Sequence, residues 1–169
     1  VASLSLTVNG ERREVSVDPS TPLIYVLRNM LGLTGTKLGC ALEQCGACSI
    51  LSDGRCVASC VKSVSEFVGH DIVTIEGLTA TRDGMLSPVQ QAFMQQGAAQ
   101  CGYCTPGMII ATTALLQQHP HPSLQQIHEA LGQQICRCGS YAAILRAVEN
   151  LTGSIPDDKQ SQPHEKPLA

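Results

Sequence analysis

Cys40-Ala41-Leu42-Glu43-Gln44-Cys45-Gly46-Ala47-Cys48 sets three thiols at x4 and x2 spacing, and Cys60 follows within the next dozen residues. Four thiolates around a compact centre are what a [2Fe–2S] cluster needs, and C-x4-C-x2-C…C is one of the spacings that hold it. Such a cluster is anionic and its sulfides accept hydrogen bonds, so its loop must bring backbone N–H groups close. Gly35, Gly39 and Gly46 lie where that demand falls. Four buried thiols without metal would explain neither the spacing nor the glycines.

A hairpin expected around Asp53-Gly54 decides the fourth ligand. With a two-residue turn there, Ser52 pairs with Arg55 and Leu51 with Cys56, which leaves Cys48 beside Ser59 and Cys60. Cys56 then lies three strand positions away, ~10 Å at about 3.3 Å per residue. The first ligand set is therefore Cys40, Cys45, Cys48 and Cys60, and Cys56 reads as a small hydrophobe with a weak S–H donor.

Working outward, Leu4, Leu6 and Val8 alternate with polar residues, Asn9-Gly10 is a hairpin signal, and Val15 and Val17 continue on the return strand. Thr21 is expected to cap a helix with Pro22 at its first position, Leu23, Val26, Leu27, Met30 and Leu31 on its buried face, and Gly32 at its end. Strands are expected at residues 49–52, 55–59 and 72–75. A hairpin, a helix across it and further strands make a β-grasp, plant-type ferredoxin-like domain over residues 1–78.

Past Gly77 the pattern turns helical. Ser87-Pro88, Thr105-Pro106, Ser123 and Ser140 open four expected helices, with short connections that favour a small bundle over residues 79–153. The whole is thus α+β, a ferredoxin-like domain followed by a four-helix bundle. Residues 154–169 are polar and Pro-containing, and read as a tail or an arm laid on a partner.

The bundle carries the second thiol set, Cys101-x2-Cys104 and Cys136-x-Cys138. Each pair stands just before a helix, where the positive end of the helix dipole favours thiolate. Two close pairs also suit structural zinc. A second [2Fe–2S] cluster is the better match to the first set, because a redox-inert neighbour would make a poorer relay.

The 169 residues contain nine cysteines, no Trp, three Tyr and two Phe, at a formal charge of −3. Two halves of such size bury little apolar surface alone, and a cluster in each supplies a staple. No basic run marks a nucleic-acid surface. No apolar stretch approaches the ~20 residues of a membrane span. Residues 1–10 lack the charged and apolar regions of a signal peptide, and an odd cysteine count favours metal ligation over disulfides, so the cytoplasm is the expected location.

Thr34-Gly35-Thr36-Lys37-Leu38-Gly39-Cys40, Gln44-Cys45-Gly46-Ala47-Cys48, Asp53-Gly54 and Ser59-Cys60 resemble the ferredoxin-like half of the xanthine oxidase family. Gln100-Cys101-Gly102-Tyr103-Cys104-Thr105-Pro106-Gly107-Met108 and Ile135-Cys136-Arg137-Cys138-Gly139 resemble its helical [2Fe–2S] half. A chain of this length looks like the small iron–sulfur subunit of a bacterial molybdenum hydroxylase. Gly139-Ser140-Tyr141 stands where many members have Thr-Gly-Tyr, and in this the chain is most similar to isoquinoline 1-oxidoreductase-like alpha subunits.

The resemblance implies a line of redox centres. Substrate, an N-heteroaromatic compound or an aldehyde, is oxidised at molybdopterin cytosine dinucleotide on a large subunit. Electrons pass to a cluster at Cys101, Cys104, Cys136 and Cys138, then to one at Cys40, Cys45, Cys48 and Cys60. They leave through FAD on a medium subunit or through a cytochrome haem. Gln100 and Cys138 inherit contact with the pterin. No catalytic residue is expected on this chain.

Two other readings stay open: a stand-alone two-cluster carrier, and a zinc-stapled interaction module. His70, His119, His121, His128 and His164 replace no cysteine of either set, so a Rieske-type centre is not expected. Glu43, Glu66, Asp71 and Glu76 are scattered and read as solvated.

Overall fold

A computed structural model describes residues 1–79 and 84–153. The expected tail at residues 154–169 lies outside these. The N-terminal half is a mixed five-stranded sheet of order β2-β1-β5-β3-β4, made of β1 (Ala2–Val8), β2 (Glu11–Val17), β3 (Ser49–Ser52), β4 (Arg55–Ala58) and β5 (Asp71–Val73). Asn9 and Gly10, at φ 54° and 77°, make the primed turn between β1 and β2. β5 runs parallel to β1 and antiparallel to β3, the β-grasp arrangement.

One helix crosses the sheet. It opens as α1 (Leu23–Tyr25) and widens into a π-turn over Val26–Met30 that the Leu31 N–H closes onto the Val26 carbonyl at 3.1 Å. Gly32 ends it at φ 69°. Its start differs from expectation: Pro22 is the cap residue and no side chain caps the turn. Thr21 instead accepts the Val64 N–H on its carbonyl, while Pro22 bridges Ser63, so tertiary pairing overrides the local cap signal. Leu6, Val8, Leu23, Val26, Leu27, Ile50, Val64 and Ile72 make the core between helix and sheet. Full burial of each is worth roughly 1.5–3 kcal/mol.

The expected strand at residues 72–75 is shorter and earlier. Thr74 leaves it, and Ile75 opens α2 (Ile75–Thr79). The bundle follows as α3 (Pro88–Gln95), α4 (Thr105–Gln118), α5 (Leu124–Leu131) and α6 (Tyr141–Thr152). Ser87 and Ser123 form full capping boxes with Gln90 and Gln126. Ser140 does not cap α6 with its side chain; its N–H points at Cys136 Sγ instead.

The halves are not separate beads. Leu51 of β3 packs with Ile110 and Ala114 of α4 in a shared apolar seam that Val73 and Leu78 flank. Ile75 and Leu78 of α2 also pack against the helical core. Hydrogen bonds cross between the cysteine loops: Tyr103 Oη donates to the Leu38 carbonyl at 2.7 Å, and the Ile135 N–H donates to the Cys45 carbonyl at 2.9 Å.

Candidate metal centres

The first cysteine loop is anchored before it reaches its thiols. Arg28 Nη1, on the π-turn, donates to the carbonyls of Thr34 and Thr36, each at 2.7 Å. Glu76 Oε1 accepts the Gly35 N–H at 2.8 Å, and Glu76 Oε2 accepts from Thr74 Oγ1 at 2.6 Å. Glu76 is therefore a buttress of the loop rather than a solvated side chain. Gly35 is required for the same reason: a Cβ there would lie 2.2 Å from Ile75 and 2.8 Å from the Glu76 carboxylate.

The loop then coils tightly around sulfur. Ala41 and Glu43 take positive φ, both 56°, which is costly for residues with a Cβ. That path aims the N–H groups of Leu42 and Gln44 at Cys40 Sγ and that of Cys40 at Cys45 Sγ, all at 3.3 Å. A Cβ on Gly39 would stand 2.6 Å from Cys45 Sγ, so glycine admits the sulfur to the backbone. Burial alone would raise the Cys40 pKa, yet the Leu42 and Gln44 N–H groups outweigh it and bring the thiol down to about 7. Such N–H groups stabilise anionic sulfur.

Cys48 and Cys60 come from the β3–β4 hairpin, whose register pairs Ser52 with Arg55 and Leu51 with Cys56. Past the strand ends, the Ser59 N–H and Oγ both donate to the Cys48 carbonyl, at 3.3 and 2.7 Å. Both thiols are buried and within hydrogen-bond reach of each other. Burial, then that contact, pushes Cys48 up to about 12. Cys56 points elsewhere, onto Ser49, and the protein around its sulfur raises its pKa.

In the bundle, Cys101 lies beside Cys138, and Cys104 beside Cys136. The Tyr103 N–H and then Cys138 lower Cys101, whereas burial and the Cys136 sulfur push Cys104 up to about 12. For Cys136, burial is outweighed by the Ser140 N–H and the Cys104 thiol, and the net shift is downward. The Cys136 N–H also donates to Tyr141 Oη at 2.8 Å. Cys101 and Cys138 are exposed, as is Gln100 beside them; Cys136 is buried.

The donor chemistry fits [2Fe–2S] clusters. Each iron of such a cluster takes two thiolates, and the thiols here are neighbours in twos: Cys40 with Cys45, Cys48 with Cys60, Cys101 with Cys138, Cys104 with Cys136.

Known proteins share this pattern. Residues 6–71 match the 2Fe-2S iron-sulfur cluster binding domain, and residues 74–149 match the [2Fe-2S] binding domain. One of the nicotinate dehydrogenase chains of Pseudomonas putida is 49% identical over 86% of this chain and 92% of its own length. The chain belongs to the xanthine oxidase family, as an iron–sulfur electron-transfer subunit. The nicotine 6-hydroxylase small subunit of Paenarthrobacter nicotinovorans is 44% identical over 90% of each chain. The crystal structure of quinoline 2-oxidoreductase from Pseudomonas putida 86 superposes with a TM-score of 0.81 at 37% identity, covering 87% of this chain and 90% of the one it matches. These relatives do not single out the isoquinoline branch.

Several supporting residues carry no signal in the sequence. Glu76 is 41 positions from its partner Gly35, and Tyr103 is 65 from Leu38, so no local pattern links them. His70 pairs with Asp53 at the tip of the β3–β4 hairpin, Nδ1 to Oδ2 at 2.5 Å, and stands apart from both thiol sets.

Proposed function

We propose that this chain relays single electrons from a molybdopterin cytosine dinucleotide site on a large partner subunit to FAD or haem on another partner. Cys101, Cys104, Cys136 and Cys138 would hold the first cluster on that route, and Cys40, Cys45, Cys48 and Cys60 the second. Bound there, each [2Fe–2S] cluster supplies one-electron redox chemistry. The relay divides into a ferredoxin-like unit at residues 1–78 and a helical unit at 79–153. The oxidised substrate is an N-heteroaromatic compound or an aldehyde, in keeping with the nicotinate, nicotine and quinoline named for its relatives.

The observation that carries the reading is the exposed thiol end of the second set, together with an exposed apolar side chain on the loop of the first. Gln100, Cys101 and Cys138 form an open face of the bundle, suited to contact with a pterin held by a neighbour. The loop around Cys40 carries Leu42, 65% exposed, and offers a second face for the exit. Buried Cys48, Cys60 and Cys136 keep the rest of each site dry, which limits water access and tunes the potential. No helix among the described residues is long and apolar enough to cross a membrane, and the reading places the complex in the cytoplasm.

Native purification under anaerobic conditions tests this. The expected sample absorbs broadly in the visible, bleaches with dithionite, carries about four irons and four sulfides per chain, and co-purifies with a molybdenum-containing partner. A colourless, zinc-loaded chain would overturn the relay, and an iron-loaded monomer with no partner would favour the stand-alone carrier. Gln100→Ala should weaken pterin-dependent reduction of the clusters without lowering iron content; unchanged reduction would remove Gln100 from the contact.

A further inference from the structure

Gln134 is a long polar side chain packed between the two cysteine loops, and neither ligation nor a helix cap employs it. It lies 5% exposed, between the end of α5 and Cys136. Nε2 donates to Ser49 Oγ at 3.1 Å, across to the first residue of β3 and next to Cys48. Oε1 is buried and has no hydrogen-bond partner among the described residues. What it has instead is two glycines. A Cβ on Gly46 would meet Oε1 at 2.1 Å, and a Cβ on Gly107 would meet it at 2.9 Å and the Gly46 carbonyl at 2.3 Å. Gly46 sits between Cys45 and Cys48, and Gly107 three residues past Cys104. The side-chain amide thus fills the gap where the backbone of one cysteine loop meets the helix that carries the other.

The adjoining peptide makes the contact that matters. The Ile135 N–H, between Gln134 and Cys136, donates to the carbonyl of Cys45 at 2.9 Å. One hydrogen bond therefore joins the backbone of a first-set cysteine to the residue preceding a second-set cysteine. We propose that Gln134 is a positioning residue for electron transfer between the two centres: wedged against Gly46 and tied to Ser49, it holds the Cys45 carbonyl on the Ile135 amide. The step it serves moves one electron from the reduced centre of the bundle to the oxidised centre of the ferredoxin-like half, with no bond made or broken. Oε1 acts by volume, as a spacer, and the Nε2–Ser49 bond fixes the rotamer. Ser49 is also the hydroxyl that Cys56 touches, which gives the ninth cysteine a place beside this wedge.

The inference rests on the relay proposed above, so iron content and each cluster's own EPR signal are checked first in the purified complex. Loss of either signal from the unaltered protein would count against the relay itself. In dithionite-reduced Gln134→Ala, both signals and the iron content should persist. The magnetic splitting between the two reduced clusters should diminish, and freeze-quench EPR should show slower equilibration between them. Gln134→Met, which restores the length and bulk but not the donor to Ser49, should return both only part of the way to the parent values. Unaltered splitting and rate in Gln134→Ala would overturn the proposal, even where the variant melts earlier, because a purely structural role lowers stability alone. Should Gln134→Ala fail to retain both clusters, Ser49→Ala removes only the anchor and is read the same way: reduced splitting supports the wedge, and parent values overturn it.

Discussion

The hydroxyl of Tyr103 donates to the carbonyl oxygen of Leu38 at 2.7 Å, tying a residue between two bundle thiols to the approach of Cys40. Tyr103 is about half exposed, so the bond competes with water and its net worth is at the low end of ~0.5–1.5 kcal/mol. Tyr103→Phe should lower the unfolding free energy read from urea titration by that small amount and leave iron content unchanged. A loss of iron equal to one whole cluster would mean that the phenol does more than join the halves.

Cys60→Ser should abolish the first cluster and leave roughly half the iron, because the hairpin register sets Cys60 beside Cys48. Cys56→Ser, opposite Leu51 in the same hairpin, should keep both EPR signals. Equal losses in the two variants would show that the pairing slips.

Gly39→Ala places a methyl 2.6 Å from Cys45 Sγ, a separation that no ordinary contact allows. Either the sulfur or the loop must move, and the N–H of Cys40 moves with it. The expected result is a sharp fall in first-cluster occupancy with the bundle cluster retained, read by iron assay and EPR. Full occupancy of both would show that the loop yields without cost.

Asp53 is held below the ordinary carboxylate range by His70 and then by the Asp71 N–H, which it accepts at 2.8 Å. A depressed folded-state pKa contributes stability that is complete above the unfolded value, about 3.9. The contribution disappears as pH falls through the folded value. Asp53→Asn should therefore lower the urea midpoint near neutral pH, and the gap from the parent protein should close as the pH drops below 4. A gap that stays constant down to the acid limit would show that the ionised carboxylate is not responsible. Both side chains are half exposed, so the effect is small.

The β1–β2 turn, the β3–β4 register and the helix starts at Ser87 and Ser123 were legible because each is set by near neighbours. Asn9-Gly10 needs no distant partner to take positive φ, and a two-residue turn at Asp53-Gly54 fixes which residue faces Cys48. The failures have the opposite character. Thr21 has the side chain of a cap, but its carbonyl is claimed by Val64, and the helix begins two residues later. Ile75 continues an apolar strand pattern, yet it opens α2 and packs against the bundle. Ser140 looks like a cap, and its N–H serves Cys136 instead. Glu76 and Gln134 lie against glycines far away in sequence, Glu76 within the ferredoxin-like half and Gln134 across the two halves, so neither contact shows in a local pattern.

The seam that joins Leu51 to Ile110 and Ala114 also bears on how the molecule is made. While the chain is emerging from the ribosome, that greasy flank of the nascent sheet is only partly covered until α4 has been synthesised. The ferredoxin-like portion thus completes its apolar packing only when α4 is in place.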